Sequence, residues 1–245
     1  MDHIQVPQVW MRNFKHKTTE GYKVYCLSCI DGSITPQKIK ELGAEKDYYI
    51  SDFEHYLDSN WESKFGILNK KILKGIRGDS DRFDINEDEC CFIKKFLTLS
   101  VGRSKFFKFN LAHKCTNKYP FWGLREIAPL STMDATPIFN NCNIQFLYNT
   151  TDVGFVLPSY TYYYVPQSFR NTGIMVLSDK IAIRFVQKEH SEEFNDIVNC
   201  SVININDEEN IKNYNYCAMV TEIATNNDFI ISKNSKELYM LKNGD

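Results

Sequence analysis

The clearest structural signal in the chain is the run SDFEHYLDSNWESKFGILNKKI, residues 51–72. Large apolar residues recur in it every three or four positions and so lie on one face of a helix. They are Phe53, Leu57, Trp61, Phe65, Leu68 and Ile72. Ser51 and Glu54 have the spacing of a capping box, which satisfies free backbone N–H groups at a helix start. We therefore predict a long helix that begins at Ser51 and buries one face.

More elements are predicted on either side of this helix. Proline suits a first helical position, glycine ends helices, and the helix dipole favours acidic residues in a first turn. Alternating apolar and polar residues indicate a strand. On these grounds we predict short helices over 7–14 and 35–43, a strand over 22–30, and a second long helix over 87–107. Residues 1–115 are thus expected to be mainly helical.

The remainder, residues 116–245, consists mostly of short strand-forming segments. A hairpin is predicted over 143–148 and 154–157, with further strands over 160–165, 174–176, 180–186, 229–232 and 237–241. Two helices are predicted, one over 191–199 and one after a capping pair at Asn206 and Glu209. In the second of these helices the repeating apolar residues are Ile211, Tyr214, Ala218 and Ile223. We expect an α+β fold in a single domain, 1–245, whose helix-rich N-terminal half packs with a mixed or antiparallel sheet from the C-terminal half.

Charge and apolar patterning exclude several settings. Lys and Arg number 29 against 31 Asp and Glu, so the net charge is -2 and the basic excess of a duplex-binding domain is missing. Nucleic-acid binding would require a local basic face. The apolar runs are too short to span a bilayer, and the opening residues show no secretory signal. The eight cysteines are then expected to be reduced thiols of a cytoplasmic protein without membrane contact.

Two segments have partial metal-binding spacing. Cys26 and Cys29 form a Cys-x-x-Cys pair, but no second pair of ligands follows, and the segment alternates like a strand. Residues 77–89 are rich in Asp and Asn, but a calcium loop that starts at Asp84 would have Glu89 where glycine is needed. We therefore expect separately packed thiols and a solvated acidic linker, with no metal and no cofactor.

No catalytic residue is assigned from the sequence, and the candidates are Glu62, His55 and Arg103. Asp58, Glu62 and Lys64 resemble the acidic-acidic-lysine set of metal-dependent nucleases, but all three fall in one predicted helix. His55 and Glu62 are seven residues apart, so they can share a helix face. The chain has no His-Glu-x-x-His helix, no Gly-x-Ser-x-Gly elbow and no phosphate-binding Gly-x-x-x-x-Gly-Lys loop.

Two sets of side chains have ligand-binding chemistry. Tyr160, Tyr162 and Tyr164 would share one face of a strand, where they could stack on bases or contact a partner. Half-buried strands favour aromatic residues in any case, so we expect packing in the core or at an edge. The helix over 87–107 carries a basic set that we interpret as a solvated face. Its members are Lys94, Lys95, Arg103, Lys105 and Lys108.

The segment VPQVWMRNF, residues 6–14, resembles the start of the domain-of-unknown-function 4238 family. The similarity continues through AEKDYY at 44–49, the helix over 54–72, the helix end at 96–103, and VLSDKIAI at 176–183. It spans nearly the whole chain, although each motif is short. The matched polar positions are Gln8, Arg12, Glu62 and Arg103. They are expected to form a ligand site or buried hydrogen bonds between helices.

Two departures separate the chain from this family. Gln5 stands where the family has a histidine two residues before proline, and VLPSYT at 156–161 replaces a Ser-Asp-Asn-Pro segment. If those polar positions carry a reaction in the relatives, this chain has lost it.

Three functions follow as hypotheses. The leading one is a non-catalytic or vestigial binding subunit, which works with a protein partner or as a homo-oligomer and binds through Gln8, Arg12, Arg103 and Tyr162. The resemblance to a microbial family implies a setting in phage defence or genome conflict. The alternative is a phosphodiester hydrolase or nuclease, with Arg103 on phosphate and Glu62 or His55 as the acid–base group. A small-molecule sensor is the second alternative.

Overall fold

The computed structural model describes residues 2–3, 6–19, 21–77, 84–104, 107, 126, 129, 139–167, 170–187, 200–225 and 228–244. Helices α1 (Gln8–Met11), α2 (Ser51–Leu57), α3 (Ser63–Arg77) and α4 (Glu87–Arg103) lie in the N-terminal half. Helices α5 (Glu208–Ala224) and α6 (Ser235–Asn243) lie near the C terminus. A 3-10 turn (Arg12–Phe14) extends α1, and a π-helical turn (Asp58–Glu62) joins α2 to α3. The predicted helix over 51–72 is confirmed.

The strands in the N-terminal half are β1 (Asp2–His3), β2 (His16–Thr18), β3 (Gly21–Ser28), β4 (Ile34–Lys38) and β5 (Ala44–Glu45). The others are β6 (Cys142–Asn149), β7 (Leu157–Pro158), β8 (Tyr163–Gln167), β9 (Arg170–Val176), β10 (Ile181–Gln187), β11 (Ser201–Ile205) and β12 (Phe229–Ser232). Strands β11-β6-β10-β9-β8 form a sheet in that order, in which β11 runs parallel to β6 and the other pairs are antiparallel. The α+β fold with a mixed sheet from the C-terminal half is confirmed.

A second sheet joins the two ends of the chain. Its order is β2-β3-β12-β7, and β4 also pairs with β3. The helix predicted over 35–43 is therefore wrong, because this segment contains β4. Pro36 lies opposite Tyr25 in the β3–β4 pair. An edge strand tolerates a residue without an N–H, since one side of the strand has no ladder partner.

Three other local predictions are wrong. The segments at 143–148 and 154–157 form no hairpin, because β6 pairs with β10 and β11 whereas β7 pairs with β12 in the second sheet. Residues 237–241 lie in α6, where Leu238 and Leu241 are buried at helical spacing. Ile50, not Ser51, is the N-cap of α2, and it has no side-chain cap. Strand β11 was not predicted, and the helix predicted over 191–199 lies outside the described residues.

Helix α1 is fixed between the helices and the mixed sheet. Trp10 is fully buried, and its Nε1 donates to the carbonyl of Val176 at the end of β9 over 2.6 Å. The Trp10 ring packs on Phe65 of α3 and Phe96 of α4, which stack on each other with centroids 3.9 Å apart. These contacts place α1 beside α3 and so define the cleft described next. None of the helices in the described part of the chain has the length and apolarity needed to cross a bilayer.

Candidate functional site

A cleft of about 460 Å³ opens between α1 and the helical run of α2 and α3. It contains three of the polar positions matched by the family resemblance, namely Gln8, Arg12 and Glu62. The other lining residues are Val9, Glu54, Asp58, Ser63, Gly66, Ile67 and Lys70. Cations and carboxylates thus face one another across a mostly polar cleft.

The fourth matched residue, Arg103, lies beneath this cleft and is closed off from it. Its side chain is 1% exposed, and its Nη1 donates to Oε1 of Glu62 over 2.6 Å. The guanidinium also lies 5.7 Å from the ring centroid of Tyr49 and hydrogen-bonds to that side chain. Arg103 is therefore a buried ion-pair residue that links α4 to the wall of the cleft. Its predicted role as an open phosphate ligand does not fit this position.

The charge that compensates Arg103 comes from Glu62. Burial alone would lower the pKa of Arg103, but the neighbouring Tyr49 and Glu62 together raise it. Burial raises the pKa of Tyr49, so its phenol stays neutral near pH 7. Glu62 keeps only 18% of its side chain exposed. A buried guanidinium requires such a pairing, because an unpaired charge in the interior is strongly destabilising.

The π-helical turn separates the two predicted acid–base candidates. It inserts an extra residue between α2 and α3, which shifts the register of one helix relative to the other. His55 is exposed and does not line the cleft, whereas Glu62 points inward to Arg103. The predicted shared face of His55 and Glu62 is therefore not formed. A spacing of seven places two residues on one face only if the α-helix is uninterrupted.

Burial decides the role of two further residues that the sequence analysis singled out. Lys94 belongs to the predicted solvated basic face, but it is 9% exposed and donates to the carbonyl of Cys142 over 2.6 Å. Lys105 and Lys108 lie outside the described residues. Tyr162 is 5% exposed and packs on Phe139 and Phe185, as expected for core packing, so its ring offers no face for a base.

In the Cys-x-x-Cys pair Cys26 is buried and Cys29 is partly exposed, and both thiols stay protonated near pH 7. Burial, together with a smaller contribution from the nearby Glu222, raises the pKa of both Cys26 and Cys29 to about 12. Metal ligation needs a thiolate, so this environment disfavours it. In the described ranges no group of three or more His, Cys, Asp or Glu side chains is arranged to hold a metal ion. Residues 78–83 of the predicted acidic linker lie outside these ranges.

A second surface was missed from the sequence. Tyr216, Val220 and Ile223 of α5 are 53%, 46% and 61% exposed. Their spacing of four and three residues places them in one apolar stripe on the outer face of the helix. Ile223 was predicted to face the core, but Glu222 occupies that position. The sequence does contain a signal for this stripe, because α5 is apolar on two sides. Ile211, Tyr214 and Ala218 are buried on one side, and the stripe lies on the opposite side.

A pocket adjoins the stripe. It has a volume of about 150 Å³, lies between α5 and α6, and has Tyr216 and Met240 in its lining. Lys212, Glu209 and Asn213 border it on the α5 side. A pocket of this size beside an apolar stripe is suited to one large side chain of a partner.

Comparison of the chain with protein-family models, with curated proteins and with solved structures finds no match. The resemblance of residues 6–14 to the domain-of-unknown-function 4238 family therefore stays a prediction.

Proposed function

We propose that this protein is a non-catalytic binding subunit of a protein complex, and that it binds a partner protein through the apolar stripe of α5. The observation that carries the proposal is the alignment of Tyr216, Val220 and Ile223 on one exposed helix face. Isolated exposed apolar residues are common on soluble domains, but a contiguous stripe is typical of interaction sites. On the resemblance described above, the complex would act in phage defence or genome conflict.

Helix α5 is held rigidly, as a docking surface should be. Asn215 donates to the carbonyl of Gly154 over 2.8 Å and accepts from the N–H of Val156 over 3.0 Å. Glu222 is fully buried and accepts hydrogen bonds from Ser159, Tyr160 and Phe229. Satisfied buried polar groups fix a unique orientation. Little conformational entropy is therefore lost when a partner binds to the outer face.

Charge favours a different protein over a second copy of this chain as the partner. Glu208 and Glu209 are exposed at the start of α5, and Lys212 is its single basic residue, 4.0 Å from Glu209. A parallel self-pairing would bring two acidic first turns together, which is unfavourable because like charges repel. A partner segment with apolar residues beside Lys or Arg fits the surface.

The cytoplasm is the proposed compartment. The cysteines within the described ranges are free thiols. Free thiols are expected where glutathione and thioredoxin keep cysteines reduced.

The experiment is affinity purification of the tagged full-length protein from its own host, followed by native mass analysis. Wild type is compared with Val220→Glu and Ile223→Glu, which place a charge in the stripe. Ile30→Glu is the matched control, because Ile30 is an equally apolar residue that is 84% exposed in a turn after β3. We expect a stoichiometric partner with wild type and the control. Each stripe variant should weaken the complex by about a hundredfold, since an unpaired charge would be buried.

Two outcomes contradict the proposal. Retention of the partner by both stripe variants would show that α5 is not the docking surface. A homodimer that both stripe variants dissociate would show that the occupant is a second copy. Circular dichroism of each variant identifies any loss that arises from misfolding.

The cleft favours a small-molecule sensor as a second candidate function. Its volume of about 460 Å³ lies in the range of ligand sites. The lining contains the cations Arg12 and Lys70 and the carboxylates Glu54 and Asp58, which suits a ligand with charges of both signs. A thermal-shift screen of amino acids and nucleotides, with Arg12→Ala as the comparison, tests this candidate. Phosphodiester turnover that requires a divalent cation and is lost in Asp58→Ala would instead support the hydrolase alternative.

A further inference from the structure

The pocket between α5 and α6 is continuous with the apolar stripe of α5, because Tyr216 belongs to both. Its apolar lining also includes Val153, Met240 and Leu241. Val153 and Leu241 are 3% and 7% exposed, so the pocket reaches down to the core. A partner that lies along the stripe can therefore extend one side chain into the pocket.

A buried carboxyl group lines the same pocket. Glu237, in the first turn of α6, is 3% exposed. It accepts hydrogen bonds from the N–H of Gly154 over 3.2 Å, the side-chain amide of Asn234 over 3.1 Å and the hydroxyl of Ser232 over 3.1 Å. All three donors are neutral, and a carboxylate has about four acceptor positions. In the part of the chain that the structure describes, no lysine or arginine forms an ion pair with Glu237.

The rim of the pocket carries one acid and one base. Glu209 and Lys212 both belong to the lining, and their charged groups lie 4.0 Å apart. The Glu209 side chain is 70% exposed and that of Lys212 is 32% exposed. The two charges offset each other, so the buried carboxyl group determines the net sign of the charge in the pocket. An exposed Glu209 is also free to reorient toward a cation that enters.

The C-terminal end of α6 adds to this negative character. Met240, Leu241 and the C-cap Gly244 line the pocket. The last carbonyls of a helix have no acceptor role within it and carry the negative end of the helix dipole, which favours a cation nearby. Lys242 of the same turn donates to the carbonyl of Gly32 over 2.9 Å and is thus engaged elsewhere.

Among cationic side chains, arginine suits this lining best. Its flat guanidinium stacks on aromatic rings, and Tyr216 is 53% exposed at the pocket. Its methylene stem packs on apolar surface such as Met240. A guanidinium is also more weakly hydrated than the ammonium of lysine, so it loses less hydration on entry. Arginine and tyrosine are frequent among the residues that dominate binding energy at protein interfaces.

We propose that this pocket takes an arginine side chain of the partner and is the anchor point of the complex. The inference rests on the proposed docking of a partner protein to α5 and names the residue that the partner supplies. The guanidinium stacks on Tyr216 and pairs with Glu209 at the rim, while Glu237 balances its charge from below.

The first experiment is NMR of the purified full chain with carbon-13 labelled methionine methyl groups, titrated with N-acetyl-arginine amide. The Met240 signal, identified by its loss in Met240→Leu, should shift and saturate with a Kd on the order of 10 mM, as expected for one side chain. Met11 is fully buried elsewhere in the core, and its signal should not move. N-acetyl-citrulline amide has the same shape without the charge and should bind about tenfold more weakly.

Three variants test the charges of the rim. Glu209→Gln should weaken binding of the arginine derivative about threefold, and Lys212→Gln should strengthen it, since a competing cation is removed. Glu208→Gln is the matched control, because Glu208 is exposed beside Glu209 but does not line the pocket. Equal affinity for the arginine and citrulline derivatives would overturn the proposal. A Met240 signal that stays unchanged up to the solubility limit of the arginine derivative would do the same.

The second experiment separates this proposal from the docking role of α5. In the affinity purification, Glu209→Lys should weaken the complex about tenfold, because it places a like charge beside the arginine, and Glu208→Lys should retain the partner. A partner that is kept by Glu209→Lys but lost from Val220→Glu would overturn the arginine anchor and leave the docking on α5 intact. A partner that Val220→Glu and Ile223→Glu both keep would overturn the docking itself.

Discussion

Among single residues, Glu222 shows how burial and hydrogen bonding act on one carboxylate. It accepts hydrogen bonds from the N–H groups of Ser159 (3.2 Å), Tyr160 (3.0 Å) and Phe229 (3.3 Å), and from the Ser159 hydroxyl. Burial raises the pKa of Glu222 to about 7, while these donors favour the ionised form and oppose the rise. The side chain joins α5 to β12 and to the turn after β7.

Replacing this carboxyl by an amide tests the hydrogen bonds. In Glu222→Gln the amide nitrogen cannot accept from the N–H of Tyr160, whereas a carboxyl accepts at both oxygens. We expect a loss of about 1–3 kcal/mol in the free energy of unfolding, because a buried donor is left unsatisfied. Urea denaturation measures it. Full stability in Glu222→Gln would show that Tyr160 finds another acceptor.

The raised pKa of Glu222 also predicts a pH dependence. Between about 4.5 and about 7 the folded protein holds a proton on Glu222 that the unfolded chain has released. The contribution of this proton to the free energy of unfolding is complete below this window. The free energy of unfolding falls by roughly 3 kcal/mol at most as the pH rises through the window. The stability difference between wild type and Glu222→Gln should therefore narrow from pH 4.5 to pH 7. A difference that widens over this range would contradict the prediction.

The Arg103–Glu62 pair predicts a contrast between two neighbouring acids of the cleft. Glu62→Ala leaves the buried guanidinium without its carboxylate, and we expect a loss of about 3 kcal/mol in the free energy of unfolding. Asp58→Ala removes an exposed carboxylate from the same helical run, and its effect should stay within about 0.5 kcal/mol. Urea denaturation of both variants is the measurement. Equal effects would show that the pair is not structural.

Among the elements, strand β9 packs against its neighbours because Gly173 has no side chain. Gly173 lies opposite Tyr164 of β8 and Phe185 of β10. A Cβ atom at this position would overlap the ring of Tyr162, which crosses the strand there. A glycine in a strand interior often marks such a close approach. Tyr162, one of the candidate binding residues, is thus held in the core against β9, whereas Tyr164 of the same segment is 50% exposed.

This close approach predicts a double-mutant effect. Gly173→Ala should cost about 1–3 kcal/mol of unfolding free energy through overpacking. In a Tyr162→Ala background the same change should cost less, because the ring that it meets is gone. Thermal or urea unfolding of the four proteins gives the coupling energy. A coupling of zero would mean that the cost of Gly173→Ala arises elsewhere.

At the scale of the whole molecule, the second sheet ties the ends of the chain together. Strand β12, near the C terminus, lies between β3 from the N-terminal half and β7. Ile230 and Ile231 of β12 are fully buried in the main core, together with Leu238 of α6. The C-terminal segment is therefore part of the core of both halves.

Truncated chains test whether the C-terminal segment is needed for cooperative folding. Ending the chain after Thr225 removes β12 and α6, exposes the edge of β3 and uncovers the core. We expect loss of the cooperative unfolding transition, since a central strand cannot be replaced by solvent. Ending the chain after Asn243 removes only residues beyond α6 and should leave the transition in place. Cooperative unfolding of the chain that ends at Thr225 would show that the N-terminal part folds without β12.

Several elements were predictable because their signals are local. The apolar stripe from Phe53 to Ile72 produced the helical run of α2 and α3, and the acidic residues before Cys90 correctly predicted the start of α4. Strand β3 follows from alternation within eight residues. Such signals are contained within one element and need no knowledge of its neighbours. Gln8, Arg12 and Glu62, which the family resemblance matched, line one cleft, and their role as a ligand site stays a prediction.

The sequence by itself thus determined the α+β class and most helices, whereas the tertiary structure decided which polar groups are buried. Arg103 and Lys94 have the pattern of a solvated face, yet Glu62 and the carbonyl of Cys142 provide partners from other segments. The tertiary structure also decided that β7 joins β12 in the second sheet. These outcomes depend on groups that are distant in the chain. Residue spacing carries no information about such groups, so only the folded arrangement determines them.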